Sequence, residues 1–410
     1  MKAVILAAGP GTRFRPLTAT RPKAMLPVGQ QPLLAHIVEA LQAAGIDELV
    51  MVVGHNRERI QTHFQNGTAW NVAIEYVTQT RPRGTGDALL QAEHTISEGC
   101  LVINGDRLVD PTLLEQIHMA YTNTGEAQLA ITEVEDPTQY GAVTTTDDRL
   151  TGITEKPEPH EVDSHLVNAG VYAFGPEIFA AIRQTDTHGE RKLTDTLAEY
   201  CTTHPVHTIR YDGLWVELSR PWDLLSATSE VLAQQSAETA DSATVSPAAT
   251  VGSPVVIGDH ARVHPGARLV RDVVIGDNVT IGANAVLTNT IVLADAVIEP
   301  GAVLTDCIVG AGATIGPLTV AEGGAADVRV DDTLHPNVTF GGVIGDNARI
   351  GGHVTLTPGT IACNPVGAAA GTTPRGALAA GSHAPAGRRK TRHSPPPHVT
   401  STRPPTPRSQ

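Results

Sequence analysis

Aliphatic residues recur at every sixth position through the second half of this chain, and glycine often follows them. No helical pattern has this period, because the faces of an α-helix repeat every three to four residues. A six-residue repeat is typical of parallel strands wound into stacked triangular coils, with the aliphatic side chains turned inward. We therefore expect a left-handed parallel β-helix over residues 245–362. The repeat positions are Val245, Val251, Ile257, Val263, Leu269, Ile275, Ile281 and Leu287, then after a four-residue step Ile291, Val297, Val303, Val309 and Ile315, and finally Ile344, Ile350 and Leu356.

Three segments around this repeat depart from it. Residues 236–244 are small and polar, which predicts a linker, and residues 318–341 interrupt the period as an excursion from the coil. From 363 to 410 the chain is rich in proline, glycine, alanine and serine and has no acidic residue, which predicts a disordered basic tail. Two alternatives stay open for this tail: a basic binding arm, or a shift of reading frame near residue 363 that removes the true end of the coil.

Residues 1–235 follow another pattern, in which short apolar runs alternate with amphipathic stretches. Runs at 2–8, 49–53, 72–78 and 100–104 predict strands, and an apolar helical face between the first two ends before Gly45. Alternating strands and helices predict an α/β domain with a Rossmann-like open mixed sheet.

The charge balance restricts the partners of this chain. With 29 basic and 43 acidic residues the formal charge is −14, which argues against nucleic acid as a partner. Lysine occurs only at positions 2, 23, 156, 192 and 390, and such a surface suits either a salt-rich host or an ordinary acidic cytosolic enzyme. No run approaches the ~18 apolar residues of a membrane span, and the N-terminus has no secretory leader pattern. Four scattered cysteines without a CxxC pair favour a cytoplasmic location and argue against zinc or a disulfide framework.

The first predicted strand leads directly into the glycine-rich segment LAAGPGTRFRP at residues 6–16. Phe14 stands where a GxGxxG dinucleotide motif needs its last glycine, and no Gly-Lys-Ser/Thr follows, so neither that motif nor a P-loop fits. The backbone N–H groups of such a turn can still surround a triphosphate. Arg13 adds a planar guanidinium group, and Lys23 adds a compact positive charge for further phosphate oxygens.

The longer segment LAAGPGTRFRPLTATRPKAMLPVG resembles the signature of the sugar-1-phosphate nucleotidylyltransferases, LAAGxGTRLxPxTxxxPKxLxPV. Later motifs follow in the order and spacing of that family, which makes the resemblance specific. They are Gln79 with Gly84-Thr85-Gly86, then Asn104-Gly105-Asp106, Tyr140-Gly141, Glu155-Lys156-Pro157 and Asn168-Ala169-Gly170. The resemblance implies a nucleotide-diphospho-sugar transferase type of sheet for the first domain.

The resemblance also implies a role for each matching residue. Arg13, Lys23 and Asp106 would be catalytic, and Mg²⁺ would be held by Asp106 with Glu217 as the second ligand. Glu217 stands where the family has Asp in a W-x-D-x-G stretch, and Ser219 stands where it has glycine, so Asp223 or a water is the alternative ligand. The nucleotide-binding residues would be Leu6, Ala7, Ala8, Gly9, Gly11, Thr12, Arg13, Gln79, Gly84 and Thr85. The sugar-phosphate-binding residues would be Gly141, Glu155, Lys156 and Asn168.

The implied reaction is in-line transfer of a nucleotidyl group from UTP or dTTP to a sugar-1-phosphate, either glucose-1-phosphate or N-acetylglucosamine-1-phosphate. The nucleophile is already anionic at neutral pH, so the site needs positioning and charge neutralisation rather than a protein base. An alternative of another class is an inactive regulatory homologue, which the altered Glu217 and Ser219 would favour.

The combination of such a domain with a β-helix is similar to two-domain archaeal and bacterial enzymes that make UDP-N-acetylglucosamine. In those enzymes the β-helix forms trimers and acetylates glucosamine-1-phosphate with acetyl-CoA. This chain lacks the asparagine of the family's acetyl-transfer stretch in Gly310–Leu318, and only His335 and His353 remain as candidate bases. We therefore interpret the β-helix mainly as an assembly or regulatory element of a homo-oligomer, a trimer by the resemblance, with bifunctional acetyltransferase activity as the alternative.

Overall fold

A computed structural model describes residues 1–162, 164–185, 189–234, 237–364, 367–374, 376–378 and 383–384 of the chain. Within this part, an α/β domain is followed by a parallel β-helix, as the two sequence patterns predict. No helix in the described part of the chain combines the length and the apolarity needed to span a lipid bilayer.

A nine-stranded mixed sheet forms the centre of the first domain, in the order β5-β4-β1-β6-β11-β8-β12-β10-β9. The predicted strands at 2–8, 49–53, 72–78 and 100–104 correspond to β1, β4, β5 and β6, which pair in parallel. The strands of the domain are β1 (Lys2–Ala7), β2 (Pro27–Val28), β3 (Gln31–Pro32), β4 (Glu48–Val53), β5 (Ala73–Thr78), β6 (Cys100–Asn104), β7 (Arg107–Val109), β8 (Ala127–Glu133), β9 (Gly141–Thr146), β10 (Arg149–Glu155), β11 (Leu166–Phe174), β12 (Val206–Arg210) and β13 (Trp215–Glu217).

Helices cover both faces of this sheet, which is why its central strands are apolar throughout rather than alternating. Ala3, Val4 and Ile5 of β1 are fully buried. The helices are α1 (Leu33–Ala43), α2 (Arg57–Phe64), α3 (Thr85–Gln91), α4 (Pro111–Thr124), α5 (Glu177–Gln184), α6 (Leu193–Tyr200) and α7 (Pro221–Gln234).

The carboxyl ends of β1 and β6 lie side by side in the middle of the sheet. The backbone N–H of Gly105 donates to the carbonyl of Leu6 at 2.9 Å. Ligands of open α/β sheets bind at this edge of the strands. The pairing therefore places the glycine-rich loop next to Asn104 and Asp106.

The second domain winds three stacks of short parallel strands into a coil. On one stack Val255–Ile257 pairs with Val273–Ile275, which in turn pairs with residues 290–292. The strands are β14 (Glu238–Thr239), β15 (Thr244–Val245), β16 (Thr250–Val251), β17 (Val255–Ile257), β18 (Arg262–Val263), β19 (Arg268–Leu269), β20 (Val273–Ile275), β21 (Thr280–Ile281), β22 (Val286–Val292), β23 (Val297–Ile298), β24 (Val303–Val309), β25 (Thr314–Ile315), β26 (Val320–Ala321), β27 (Ala325–Val330), β28 (Thr333–Thr339), β29 (Gly342–Ile344), β30 (Arg349–Ile350), β31 (Thr355–Leu356), β32 (Thr360–Ala362), β33 (Gly367–Ala368), β34 (Ala377–Leu378) and β35 (His383–Ala384).

The predicted inward positions are correct from Ile257 to Leu287 and again at Val309, Ile315, Ile344, Ile350 and Leu356, whereas Val251 is exposed and the positions from Ile291 to Val303 are displaced by one residue. Val292, Ile298 and Leu304 are fully buried inside the coil, whereas Val297 and Val303, which the repeat predicts as inward, are partly exposed. The inward aliphatic residues are six apart along most of the coil but only five apart from Leu287 to Val292 and from Leu304 to Val309. Because neighbouring residues of a strand point to opposite faces, a corner that is one residue shorter exchanges the two faces. Ile291 is buried too, but against the first domain.

The coil is also longer at both ends than the predicted range of 245–362. Glu238–Thr239 pairs with Val256 and Ile257, so the predicted linker at 236–244 already contains coil strands. Beyond residue 362, β33, β34 and β35 pair in parallel with preceding coils. Hydrogen bonds to a neighbouring coil hold these strands even though their side chains are small. Of the predicted disordered tail at 363–410, these coil strands contradict the first part, and residues 385–410 lie outside the described residues.

The predicted excursion at 318–341 contains an antiparallel hairpin, formed by β27 and β28, which we call the coil hairpin. It packs against the first domain, where Val328, Val330 and Phe340 join a buried cluster that includes Phe14 and Leu224. Outward-facing residues of one stack of the coil also belong to this cluster: Val256, Val274, Ile291, Ile308 and Val343.

An ion pair fixes the glycine-rich segment of the first domain to the coil. Arg21 donates from Nη2 to Oδ2 of Asp346 at 2.7 Å, and both side chains are largely buried. The hydroxyl of Thr20 donates to the same carboxylate oxygen. The segment that carries Arg13 and Lys23 is therefore held between the sheet and the coil.

Candidate active site

A cavity of about 370 Å³ lies at the carboxyl ends of β1 and β6. All three predicted catalytic residues, Arg13, Lys23 and Asp106, line it. Every predicted nucleotide-binding residue lines it as well: Leu6, Ala7, Ala8, Gly9, Gly11, Thr12, Arg13, Gln79, Gly84 and Thr85. Sequence motifs that lie far apart in the chain thus meet around one cavity.

The loop at the start of the cavity depends on Gly11. Its backbone is left-handed at φ 61°, and an added Cβ would lie 2.8 Å from the Cβ of Lys23. The hydroxyl of Thr18 donates to the carbonyl of Gly11 at 2.7 Å and holds the turn. Only glycine fits both the backbone conformation and this close approach, and the approach brings Lys23 against the loop.

Lys23 and Asp106 form an ion pair inside the cavity, with 2.7 Å between Nζ and Oδ2. Burial alone would raise the pKa of Asp106, but the positive charges of Lys23 and Arg107 dominate and lower it to about 2. The carboxylate is therefore charged over the whole physiological pH range. Asp106 can act as a ligand for a cation, and Lys23 can exchange this partner for a phosphate.

Arg107 lies between two carboxylates. Its Nη1 is 2.5 Å from Oε2 of Glu217 and 3.7 Å from Oδ1 of Asp106. Antiparallel pairing of β7 with β13 sets Arg107 directly opposite Glu217. Burial alone would lower the pKa of Arg107, but Glu217 and Asp106 raise it, so the guanidinium stays charged. The other oxygen of Glu217, Oε1, accepts a hydrogen bond from the hydroxyl of Ser219 at 2.5 Å.

These contacts test whether the site fits Mg²⁺. Among the described residues, Oδ1 of Asp106 is buried and has no hydrogen-bond partner, which suits an oxygen ligand of a hard cation. Glu217 has both oxygens engaged and would have to release Arg107 first. No cage of three His, Cys, Asp or Glu side chains occurs in the described parts of the chain. Mg²⁺ is commonly held by one or two carboxylates together with substrate phosphates, so Asp106 fits such a site.

Gln79 occupies the far side of the cavity in a defined orientation. Its Nε2 donates to Oδ2 of Asp87 at 2.8 Å and to the carbonyl of Gly84 at 3.2 Å. Both amide protons are thus directed to protein acceptors, and since no described residue donates a hydrogen bond to Oε1, this atom can accept one from a ligand. Gly84 has φ 98°, and a Cβ there would lie 2.3 Å from the carbonyl oxygen of Arg191, so this position also requires glycine.

The predicted sugar-phosphate residues do not line this cavity but lie on the neighbouring strands. Gly141 pairs with Glu155 across β9 and β10, and the N–H of Lys156 donates to the carbonyl of Tyr140. Burial lowers the pKa of Lys156, and the charge of Arg13 lowers it further, so Lys156 is electrostatically coupled to the cavity.

Asn168 uses its side chain within its own strand. Its Nδ2 donates to the hydroxyl of Tyr172, and its Oδ1 accepts from the N–H of Gly170. Trp215 donates from its indole nitrogen to the carbonyl of Ala169 at 2.8 Å and lies against the guanidinium of Arg107. The Asn168 motif is therefore connected to the carboxylate pair through Trp215 and Arg107.

Three residues around the cavity were not singled out from the sequence. Arg107 follows the Asn-Gly-Asp motif directly, and its position next to the predicted metal ligand Asp106 could have identified it. Lys192 is close enough to lower the pKa of Lys156, and the scarcity of lysine was the available signal. Asp331 lines the cavity from the coil hairpin, and no local motif indicates it.

Comparison with protein families gives two matches along the chain. Residues 2–234 match the model of the nucleotidyl transferase family, and residues 251–366 match the model of the GMPPB C-terminal domain. The first match covers more than half of the chain and contains every residue discussed around the cavity except Asp331.

Archaeal proteins are among the related sequences. The chain is 36% identical over 235 residues to the bifunctional protein GlmU of Methanocaldococcus jannaschii, covering 57% of this chain and 54% of that protein. This chain thus spans about half the length of such relatives. It is 32% identical over 265 residues to the low-salt glycan biosynthesis nucleotidyltransferase Agl11 of Haloferax volcanii, covering 63% of this chain and 73% of that protein.

A solved structure with a similar fold is that of a putative glucose-1-phosphate thymidylyltransferase from Bacillus anthracis in complex with sucrose. The similarity covers 56% of this chain and 94% of the other, with a TM-score of 0.53 and 26% sequence identity.

Proposed function

This chain belongs to the nucleotidyl transferase family, and from that premise we propose that it transfers a nucleotidyl group from UTP or dTTP to a sugar-1-phosphate and releases pyrophosphate. The acceptor is glucose-1-phosphate or N-acetylglucosamine-1-phosphate. The observation that carries the proposal is the meeting of Arg13, Lys23 and Asp106 with the glycine-rich loop in one cavity. This complete set also favours an enzyme over an inactive regulatory homologue.

In the proposed reaction a phosphate oxygen of the sugar attacks the α-phosphorus, and the bond to pyrophosphate breaks. The oxygen is already anionic, so the side chains position the reactants and neutralise charge instead of removing a proton. Arg13 holds the leaving phosphates through its planar guanidinium. Lys23 leaves Asp106 and bridges the reacting phosphates.

We assign Mg²⁺ to Asp106, with Glu217 as the second ligand once Arg107 has been displaced. When bound, the ion neutralises charge on the phosphates of both substrates. Arg107 keeps the two carboxylates together in the free protein, because it is charged and contacts both. Asp223 is the weaker candidate, since its Oδ2 already accepts the N–H groups of Ser219 and Arg220.

The orientation of Gln79 supports a base that presents a ring N–H group. Its free Oε1 can accept from the N3–H of uracil or thymine, whereas adenine and cytosine offer an acceptor at the corresponding position. A site built around such a hydrogen bond rejects a base that leaves the polar group unpaired. Guanine also carries a ring N–H, so the larger purine has to be tested as well.

For the sugar side we propose Gly141, Glu155, Lys156 and Asn168. The coupling between Lys156 and Arg13 supports a position of Lys156 near the sugar phosphate. Asn168 would act mainly by fixing the backbone of its strand, since its amide is bonded within it.

We propose that the β-helix is an assembly element, with a homotrimer as the expected state. The ring of His335 packs against Trp222 of the first domain at 5.4 Å between centroids, which does not favour a role as the base for acetyl transfer. Thiol release from acetyl-CoA with glucosamine-1-phosphate tests the alternative of a second activity.

Pyrophosphate release tests the main proposal. The purified chain is incubated with Mg²⁺, each of UTP, dTTP, GTP, ATP and CTP, and either sugar phosphate, in low and high salt. We expect turnover with UTP or dTTP and at least about tenfold less with ATP and CTP. A folded protein without turnover on any pair would overturn the proposal, and a preference for ATP would overturn the role of Gln79.

A further inference from the structure

The coil hairpin brings one acidic residue of the second domain into the cavity of the first. Asp331 occupies the tip between β27 and β28, with a left-handed backbone at φ 50°, which suits a tight hairpin turn. It lines the cavity, and its Oδ2 lies 4.0 Å from Nε of Arg13. The hairpin thus places a carboxylate beside the arginine assigned to the leaving phosphates.

The base of the hairpin is anchored while its tip is not. Trp222 packs edge-on against His335 and Phe340, with ring centroids 5.4 and 5.8 Å apart. Val328 and Val330 are buried in the cluster shared by both domains. By contrast, the side chain of Asp331 is 52% exposed and that of Arg13 is 48% exposed. The anchored base therefore fixes the position of a tip that remains accessible from the cavity.

The negative charge of Asp331 determines how the tip of the hairpin would affect a bound triphosphate. A polyanionic triphosphate and the carboxylate of Asp331 compete for the guanidinium of Arg13, and they repel each other across a short distance. An exposed ion pair contributes little to stability, so a triphosphate can displace it. The tip is thus placed where it opposes nucleotide binding without preventing it.

We propose that Asp331 holds Arg13 in the free protein and is displaced from it by the bound nucleoside triphosphate. The coil hairpin is then part of the active site and sets the affinity for the nucleotide. This inference rests on the proposed function, because it requires a triphosphate in this cavity.

The test compares two single substitutions in the same turn. Asp331→Asn removes the charge that faces Arg13, and Asp332→Asn removes an equal charge from the neighbouring exposed position, which does not line the cavity. Binding of UTP and dTTP to the full chain is measured by calorimetry. For Asp331→Asn we expect about 3- to 10-fold tighter binding, and for Asp332→Asn a change below about twofold.

Two further measurements separate this role from a general effect on folding. Asp331→Glu keeps the charge and should retain wild-type affinity within about twofold. The difference between wild type and Asp331→Asn should shrink as the salt concentration rises, because the pair is exposed. Neither result is expected if the substitution only loosens the hairpin.

The outcomes are distinct. Three results would overturn the inference and leave the proposed function in place. They are an unchanged nucleotide affinity in Asp331→Asn, a weaker nucleotide affinity in Asp331→Asn, or the same change of affinity in both asparagine variants. A wild-type chain that binds no nucleoside triphosphate would overturn the proposed function itself and this inference with it.

Discussion

The interior of the coil and the wall of the cavity are both buried, but the coil interior is apolar, whereas the cavity wall contains unpaired polar atoms. Inside the coil, Ile281, Leu287 and Ile298 are fully buried, and their strands are hydrogen-bonded to strands of the neighbouring coils. At the cavity, Oδ1 of Asn104 and Oδ1 of Asp106 are buried without hydrogen-bond partners among the described residues. Such unpaired polar atoms destabilise a fold.

This difference separates the residues that stabilise the fold from the residues that are available for a reaction. The coil gains stability from repeated burial of aliphatic side chains. The cavity wall keeps charged and unpaired polar groups that do not contribute to packing but could pair with a ligand. Substitutions should therefore affect folding in one region and turnover in the other.

The largest effect is expected from Asp106→Asn. Losing the charge removes the proposed ligand of the cation and the partner of Lys23, so turnover should fall about 100- to 1,000-fold while the melting temperature falls less than in a variant of the coil interior. Pyrophosphate release and thermal melting measure the two quantities. Asp212→Asn, at an exposed ion pair, is the control and should retain full turnover. If Asp106→Asn lowered the melting temperature as much as truncation of a coil-core residue does, the contrast between the two regions would be contradicted.

Leu304→Ala should have the reverse effect. Leu304 is fully buried inside the coil, and its truncation should lower the free energy of unfolding by about 2–5 kcal/mol with nearly unchanged turnover. Urea unfolding of this region checks the stability, and the exposed Val270→Ala is the matched control. Equal losses in both variants would contradict the inward position of Leu304.

Asp346→Asn tests the boundary between the two regions. It leaves the buried Arg21 without its counter-ion but retains the oxygen that accepts from the N–H of Ala311. We expect a loss of about 2–3 kcal/mol, below the range for a fully broken buried pair, together with weaker nucleotide binding. Asp295→Asn, on an exposed corner of the coil, should change neither quantity. Stability lost without any change in nucleotide affinity would show that the coil does not support the loop.

The smallest effect concerns pH. Burial raises the pKa of Asp223 to about 6, although the N–H groups of Ser219 and Arg220 oppose this and Arg220 adds a positive charge, while Glu217 raises it further. The folded chain then holds this proton more tightly than the unfolded chain, so the stabilisation is complete below pH ~4 and is lost as pH rises through about 6. Unfolding free energies of wild type and Asp223→Asn from pH 4 to 7 measure it, and parallel profiles would contradict it.

The sequence predicts that the coil exists, but it predicts less well which residues face its interior, and the reason is physical. A six-residue period identifies stacked strands, but Ile291-Val292, Val297-Ile298 and Val303-Leu304 each offer two adjacent aliphatic residues. Packing against the first domain makes one outward residue of such a pair apolar as well, as for Ile291. The period therefore does not distinguish the inner residue from the outer one.

The cavity could be predicted as far as its residues belong to local motifs. Arg13, Lys23 and Asp106 lie in segments whose residue types already indicate phosphate or cation binding. Asp331 lies in a segment whose only signal is an interrupted repeat, and its position follows from tertiary packing of the coil hairpin on Trp222. Long-range placement of this kind is not contained in short patterns.

The cluster shared by Phe14, Leu224, Val274 and Phe340 has a consequence for how such chains can diverge. Because one outer face of the coil also packs against the glycine-rich segment of the first domain, the two domains cannot be exchanged freely between relatives. A foreign coil would have to bring matching aliphatic residues on that face and a counter-ion for Arg21. A substitution on that face of the coil therefore requires a compensating substitution in the first domain if the shared cluster is to stay packed.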